Sequence, residues 1–469
     1  PANYEYHIKL VGFLKLDVNE SVIESQCLTV YGGGYADCTV SKYVMKDIPA
    51  FIEEDYTTAS KNYISRMEYE LKVIKGFDGS VQNITKTWDT ADDELKQNED
   101  FGKQLKKESL VKKLIDPTLI DQKNELDKAK YIFNYVKNNY TWNGYNRIFK
   151  DVSIKDIIEE KTGNVAEINL LLYNLLKRHD IVTYPVLIST RENGFVTTLY
   201  PVISEFNYII LRTEINGKSY FLDATNPALV FGQIPFKCLN EYGREMDFDN
   251  GSRWIDLKTN TNSTTQHKIN LIINDDDTFS GTLTTTKLGY DALDARQLYK
   301  KNNQNNLKYY RDKYPDLTFE NSQVDTNKNN KSIFTETLSI SGPLTVIDNK
   351  IYLDPFIFKF FTKNPLQLNS RTYPIDFGYK NNLVYYLQID TNNKYKIVDK
   401  PLDKTIELSN NSGLLNFLTK PKDGNIDLSF RINFYNTIYP TNYYSELKSF
   451  FSNIVNIQNN SVIVLEKNI

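Results

Sequence analysis

The spacing of apolar residues changes twice along this chain, and that pattern limits the folds it can adopt. Residues 3–80 alternate apolar and polar side chains with the period of two expected for half-buried β-strands, as at Tyr4 and Tyr6. From residue 87 to 113 and again from 121 to 139 the spacing becomes helical. Beyond residue 257 the alternation returns, interrupted by one helical stretch at 291–310. The sequence therefore predicts β-rich regions on both sides of a central region that contains helices.

The number of domains follows from the length of the chain. A single hydrophobic core rarely serves more than about 250–300 residues, so the 469 residues here suggest roughly three domains. The changes in periodicity place them at 1–80, 81–257 and 258–469. The abundance of aromatic residues, with 33 Tyr and 25 Phe, favours strands as the main secondary structure.

Composition excludes several classes of partner and cofactor. The net charge of −3 is spread along the chain, so we expect no nucleic-acid partner. No stretch approaches the ~18 consecutive apolar residues that a helical span needs, so we expect no membrane span. The sequence has no Cys/His cluster, and we predict no metal and no cofactor. The acidic turn at 274–277 lacks the later glutamate of a calcium loop and is interpreted as a hairpin turn.

The three cysteines leave one question open. Cys27 and Cys38 flank a run of glycines in a predicted hairpin and lie nearly opposite each other. A disulfide in an oxidising compartment and two separate buried thiols both fit that arrangement. Cys238 has no evident partner and is most simply a small core residue.

Residues 161–172 predict a glycine turn followed by a helix. Asn164 and Glu167 have the spacing of a capping box, in which each side chain accepts a hydrogen bond from the other residue's backbone N–H. Asn164 is therefore predicted to begin this helix as its N-cap. Asn164→Ala should then cost about 1 kcal/mol of stability, and Asn164→Asp should be nearly neutral.

Three segments together resemble the core of the transglutaminase-like, papain-related family. They are residues 161–172, 206–210 and 220–225. In that family a Cys opens a helix, a His opens a strand and an Asp lies on the next strand. Matched by position, Asn164 replaces the Cys, Asn207 replaces the His, and only Asp223 is retained. The resemblance implies an α+β fold, with a papain-like transglutaminase core flanked by two predominantly β, sandwich-like domains.

Two flanking segments resemble domains that accompany this core. Residues 43–56 are similar to the end of the domain DUF3857, so we expect only its second part in this chain. Residues 351–378 are similar to the companion domain DUF3858. The resemblance implies an exported protein of the Bacteroidota type, in the periplasm or at the cell surface.

The replaced residues predict the loss of catalysis. An amide side chain has neither a nucleophilic lone pair nor a pKa suited to proton transfer at neutral pH. We therefore expect a pseudoenzyme that serves as an exported binding or structural module, with a peptide or a glycan as ligand and an oligomeric state left open. The alternative is a cysteine peptidase, amidase or transglutaminase that uses Cys238 with a relocated base. His179 cannot supply that base at Asn164, because the helix between them spans about 22 Å.

An aromatic group brackets the replaced positions. It consists of Trp142, Tyr145, Phe206 and Tyr208. Aromatic rings beside a few amides can form a platform for a peptide or a sugar. Packing in the core is the simpler interpretation of the same residues.

Overall fold

The protein is described by a computed structural model that covers residues 3–12, 16–30, 32–84, 86–258, 262–302, 305–325, 332–422 and 425–468. The chain folds into two compact units, Pro1–Leu257 and Lys258–Ile469. Both units contain helices and sheets, so the fold is mixed, in agreement with the predicted α+β class.

The first unit contains twelve described strands and five α-helices. Its strands are β1 Asn3–Val11, β2 Val18–Thr29, β3 Tyr35–Val44, β4 Arg66–Lys75, β5 Val81–Asn83, β6 Thr141–Trp142, β7 Thr162–Gly163, β8 Thr183–Ile188, β9 Tyr208–Ile215, β10 Lys218–Leu222, β11 Tyr242–Glu245 and β12 Arg253–Asp256. Its helices are α1 Trp88–Gln97, α2 Glu108–Val111, α3 Glu125–Asn139, α4 Ile154–Glu160 and α5 Val165–Arg178.

The centre of the first unit is a helix packed on an antiparallel sheet. The sheet has the order β10-β9-β8-β11-β12, and α5 lies against β8 and β9. Every residue of α5 up to Leu176 is buried. β9 is also buried on both of its faces, from Tyr208 through Thr213. A helix and a strand that are buried on all sides belong in the middle of a domain, so these two elements form its core.

The predicted helical stretch at 87–113 is not one continuous helix. It is divided into α1 and α2, with a 3-10 turn between them. Gly102 lies so close to the carbonyl groups of Leu95 and Lys96 that a Cβ atom there would clash with both. Helical periodicity did not reveal this break, because the chain turns back on itself while its apolar residues still face the core.

The N-terminal strands form a three-stranded sheet, β1-β4-β5, and a separate hairpin, β2–β3. In β1 the apolar side chains, from Tyr4 to Leu10, are exposed, and the polar ones between them are partly buried. Among these, His7 stacks on Tyr200 with ring centroids 5.4 Å apart. Cys27 and Cys38 are joined by a disulfide across the hairpin. Their Cα atoms are 5.7 Å apart, within the range that a disulfide spans. This settles the choice between a bridge and two thiols in favour of the bridge.

The second unit contains fourteen described strands and three α-helices. Its strands are β13 Ser263–Ile273, β14 Thr278–Leu288, β15 Thr318–Asp325, β16 Phe334–Pro343, β17 Thr345–Ile347, β18 Lys350–Leu353, β19 Ile375–Asp376, β20 Asn381–Asp390, β21 Tyr395–Asp399, β22 Lys404–Leu408, β23 Gly413–Lys422, β24 Asn425–Phe434, β25 Ile438–Tyr439 and β26 Ile463–Lys467. Its helices are α6 Gly289–Lys301, α7 Leu307–Lys313 and α8 Tyr444–Asn460.

An eight-stranded sheet dominates the second unit. Its order is β15-β16-β14-β13-β20-β24-β23-β22, and only the β13–β20 pair is parallel. The core above it is rich in aromatic side chains, including Phe356, Tyr385 and Phe430. The helix predicted at 291–310 is divided into α6 and α7, and residues 303–304 of that stretch lie outside the described residues.

The acidic segment between β13 and β14 is a tight turn. Asn274 donates its backbone N–H to the carbonyl of Thr278, and Lys394 binds the Asp275 carboxylate at 2.7 Å. Within the described ranges no group of three or more Cys, His, Asp or Glu side chains could hold a metal ion. In the same part of the chain, no helix is both long and apolar enough to cross a membrane.

Candidate functional site

Asn164 begins helix α5 as its N-cap. Its Oδ1 accepts a hydrogen bond from the backbone N–H of Glu167 at 3.0 Å, and the Glu167 carboxylate accepts one from the backbone N–H of Asn164 at 2.8 Å. The predicted capping box is therefore confirmed. The Asn164 amide also donates to the carbonyl of Asp151 at 2.9 Å. The oxygen and the nitrogen of the Asn164 amide thus both hold the start of the helix in place.

The contact with Asp151 changes the expected effect of substitutions at Asn164. Asn164→Ala removes the cap and the bond to the carbonyl, and should lower the free energy of unfolding by about 1–2 kcal/mol. Asn164→Asp keeps the cap but turns an amide donor into a carboxylate facing a carbonyl oxygen. We therefore expect a loss of about 1 kcal/mol for Asn164→Asp, where the sequence alone suggested near neutrality.

The measurement is urea unfolding followed by tryptophan fluorescence, since all three Trp residues lie in the first unit. Asn139→Ala is a matched control, because Asn139 is an exposed amide near the end of α3 that bonds only to a carbonyl of its own helix. An Asn164→Asp variant as stable as the original protein would contradict the importance of the bond to Asp151.

Asn207 lies immediately before β9, but its side chain turns toward the end of β8. Its Oδ1 accepts from the backbone N–H of Thr190 at 2.9 Å, and its Nδ2 donates to the Thr190 hydroxyl at 3.0 Å. Among the described residues, no hydrogen bond joins Asn207 to Asp223. Its amide fixes the loop that follows β8.

The side chain that meets Asp223 is Tyr208. The Tyr208 hydroxyl donates to Asp223 Oδ2 at 2.8 Å and also contacts the Thr225 hydroxyl at 3.1 Å. Both Tyr208 and Asp223 have no exposed surface. Adjacent residues of a strand point to opposite faces, so only one of Asn207 and Tyr208 can face Asp223. The side chain that faces the acid is thus Tyr208, one residue after the matched Asn207.

Asn169 completes this buried network, and sequence reasoning missed it. Its Nδ2 donates to the carbonyl of Ile209 at 2.8 Å and to Asp223 Oδ1 at 3.3 Å, while its Oδ1 accepts from the backbone N–H of Ala224 at 2.9 Å. One side chain therefore connects α5 to β9 and to the end of β10. The signal available in the sequence was an asparagine directly before three leucines in a mostly apolar helix.

Burial sets the protonation of this network. Desolvation raises the pKa of Asp223, although Thr225, Tyr208 and Asn169 all donate hydrogen bonds to its carboxylate. Desolvation also raises the pKa of the Tyr208 phenol well above its usual range, with the Asp223 charge acting in the same direction. At neutral pH Tyr208 is therefore a hydrogen-bond donor with no capacity to take up a proton.

Cys238 lies beside this network, at the end of a short 3-10 turn, Phe236–Cys238. Its side chain is fully buried. Desolvation raises the pKa of the Cys238 thiol well above its usual range, and the nearby Asp223 charge raises it further. The thiol is thus protonated at neutral pH and shielded from solvent, the reverse of an activated nucleophile.

The four aromatic residues predicted to form a ligand platform lie in different environments. Phe206 and Tyr208 are buried, and Phe206 packs against Trp254 with ring centroids 6.1 Å apart. Trp142 is partly exposed, and Tyr145 is exposed over 57% of its surface. A ligand outside the protein can reach only Trp142 and Tyr145, because close packing closes off the other two.

Lys237 connects the exposed and the buried parts of this group. Its Nζ lies 4.4 Å from the centroid of the Trp142 ring and 4.4 Å from that of Tyr208. Both distances are within the range of cation–π interactions. His179, by contrast, is the C-cap of α5 and takes no part in the site.

Comparisons with known proteins agree with part of the sequence-based identification. Residues 349–464 match a family described as a domain of unknown function with a solved structure, DUF3858. The search of curated proteins finds no match. A solved structure from Parabacteroides distasonis, described as a "putative protease", aligns with 98% of this chain and 70% of its own length, with a TM-score of 0.52 and 12% sequence identity. At that identity the likeness shows a shared fold, and the family match confirms the predicted DUF3858 domain.

Proposed function

We propose that this protein is a catalytically inactive transglutaminase-like protein that serves as an exported binding or structural module. The hydrogen bond between Tyr208 and Asp223 carries the proposal. In the family that the chain resembles, the acid on this strand orients an imidazole. Here the acid accepts a hydrogen bond from a phenol, which cannot move a proton at neutral pH. The proposal includes the papain-like core at 81–257 and the separate β domain at 1–80.

The start of α5 supports the same conclusion. A nucleophile at a helix N-terminus must be free to meet its substrate. Asn164 is almost fully buried, and the first residue of the helix, Val165, is buried and donates its N–H to the carbonyl of Tyr145. No side chain at this helix start can attack a carbonyl group.

The competing proposal is a cysteine hydrolase or transferase that uses Cys238, and the observations weigh against it. A thiol needs a base to form the thiolate. The chain has three histidines, and in the described structure none forms a hydrogen bond with Cys238. The carboxylate near Cys238 raises the pKa of its thiol instead of lowering it.

The proposed export has one support within the molecule. Disulfides persist in oxidising compartments and are rare in the cytosol. The Cys27–Cys38 bridge lies in an exposed hairpin, where a reducing environment would open it. A periplasmic or cell-surface location therefore suits this protein.

The proposal predicts no turnover of peptide or glutamine substrates. The purified protein is incubated with fluorogenic casein, and with a glutamine peptide and a fluorescent primary amine, while an active cysteine peptidase and an active transglutaminase serve as positive controls. We expect rates equal to buffer alone for the protein and for Cys238→Ser. Turnover that disappears in Cys238→Ser would overturn the proposal in favour of the enzyme.

A further inference from the structure

The short strand β6 has a free edge that ends in a charged and aromatic cluster. Thr141 donates its N–H to the carbonyl of Lys161, and Asn143 donates its N–H to the carbonyl of Gly163. The N–H and C=O groups of Trp142, between them, therefore point away from β7. Among the described residues β6 pairs only with β7, so this edge is open.

Lys237 places a positive charge on the ring of Trp142, the residue whose backbone forms that edge. Its ammonium lies 4.4 Å from the centre of the Trp142 ring. Its side chain is partly exposed, and within the described part of the chain it forms no ion pair with any carboxylate. The rings of Trp142 and Tyr208 hold the ammonium in place but leave its charge without a counterion. Such a charge on a partly desolvated surface is well suited to a carboxylate from outside the molecule.

The neighbouring charges favour an anion. Lys161, on the segment that pairs with β6, contacts the Tyr140 hydroxyl at 3.2 Å and also forms no ion pair with a described carboxylate. The N-terminus of α5, which follows β7, adds the positive end of a helix dipole. Asp223, which accepts the hydrogen bond of the Tyr208 hydroxyl, is buried and bound by three donors.

We propose that an acidic peptide segment binds here in extended conformation. Its binding site consists of the free edge at Trp142 and the ammonium of Lys237. The peptide backbone would pair with the N–H and C=O of Trp142 as an added strand, and an Asp or Glu side chain of the peptide would bind Lys237. Lys237 covers one face of the Trp142 ring, where a sugar would stack, so the geometry favours a peptide over a glycan. This inference rests on the proposed function and specifies the ligand of that module.

The test measures binding by calorimetry with two blocked peptides, one with two central glutamates and the same peptide with glutamines. We expect the glutamate peptide alone to bind, more weakly at higher salt. Lys237→Met, which keeps the aliphatic packing on the rings, should weaken binding about tenfold or more, whereas Lys237→Arg should stay within about threefold. Lys123→Met is the matched control, because Lys123 also lies on a tyrosine ring, 5.8 Å from that of Tyr131, and should leave binding unchanged.

Two results would overturn the inference. The first is binding that Lys237→Met leaves unchanged, or that does not distinguish glutamate from glutamine. The second is an absence of peptide binding, including the case in which an oligogalacturonate binds in its place. Either result, with no turnover in the assay above, would leave the proposed lack of catalysis intact.

Discussion

Replacing Asp223 with alanine is expected to lower the free energy of unfolding of the first unit by about 3–5 kcal/mol. The carboxylate has no exposed surface and accepts hydrogen bonds from Tyr208, Asn169 and the backbone N–H of Thr225. Alanine would leave these donors buried without a protein acceptor. If the proposed lack of catalysis holds, the main effect of this acid is on stability.

Tryptophan fluorescence during urea unfolding measures this effect, since Trp88, Trp142 and Trp254 all lie in the first unit. Asp223→Asn keeps an acceptor oxygen and the side-chain shape, so it should cost less than alanine. Asp249→Ala, at a side chain 91% exposed, should change the free energy of unfolding by no more than about 0.5 kcal/mol. A loss below about 1 kcal/mol for Asp223→Ala would mean that the network contributes little to the fold.

The start of α5 could be predicted from the sequence because its determinants are local. Asn164 and Glu167 are three residues apart, and the hydrogen bonds of a capping box join only those two positions. No knowledge of the rest of the fold is needed to place them. The order of one helix and two strands followed from the same kind of local pattern.

The partner of Asp223 could not be predicted in this way. β9 is buried on both faces, so its apolar run carries no alternation that would tell which residues face the helix. A shift of one residue exchanges Asn207 and Tyr208 between the two faces. That choice depends on how β9 pairs with β8 and β10, which is a property of the assembled sheet.

The position of Lys237 and Cys238 was equally inaccessible. They come from a 3-10 turn that has no periodic pattern, and they reach the site only because the chain returns to it after β10. Sequence reasoning considered Cys238 as a nucleophile on its chemistry alone. Its environment, which decides that chemistry, is set by burial and by the nearby charge of Asp223.

The reactivity of Cys238 is the second large effect that we expect. Cys27 and Cys38 are joined in a disulfide, so the oxidised protein has one free thiol. A fully buried thiol reacts with an alkylating reagent only when the structure opens. For a domain stable by about 5 kcal/mol, alkylation of the native protein should therefore be slower than that of the unfolded protein by roughly 10³-fold or more.

The raised pKa of the Cys238 thiol extends the prediction of slow alkylation over a range of pH. Between about pH 6 and 8.5 an activated cysteine would already be thiolate and would react rapidly. Because burial and the Asp223 charge raise the pKa of Cys238, its alkylation in the native protein should stay slow throughout this interval. Cys238→Ser gives the background of the assay.

The most direct test of an inactive site is therefore the rate at which iodoacetamide modifies Cys238 in the oxidised, native protein, followed by mass spectrometry against pH. We expect almost no modification during the time in which the urea-unfolded protein reacts completely. Rapid modification at neutral pH, with a midpoint below the ordinary value of about 8.5, would reveal an accessible thiolate and contradict the account.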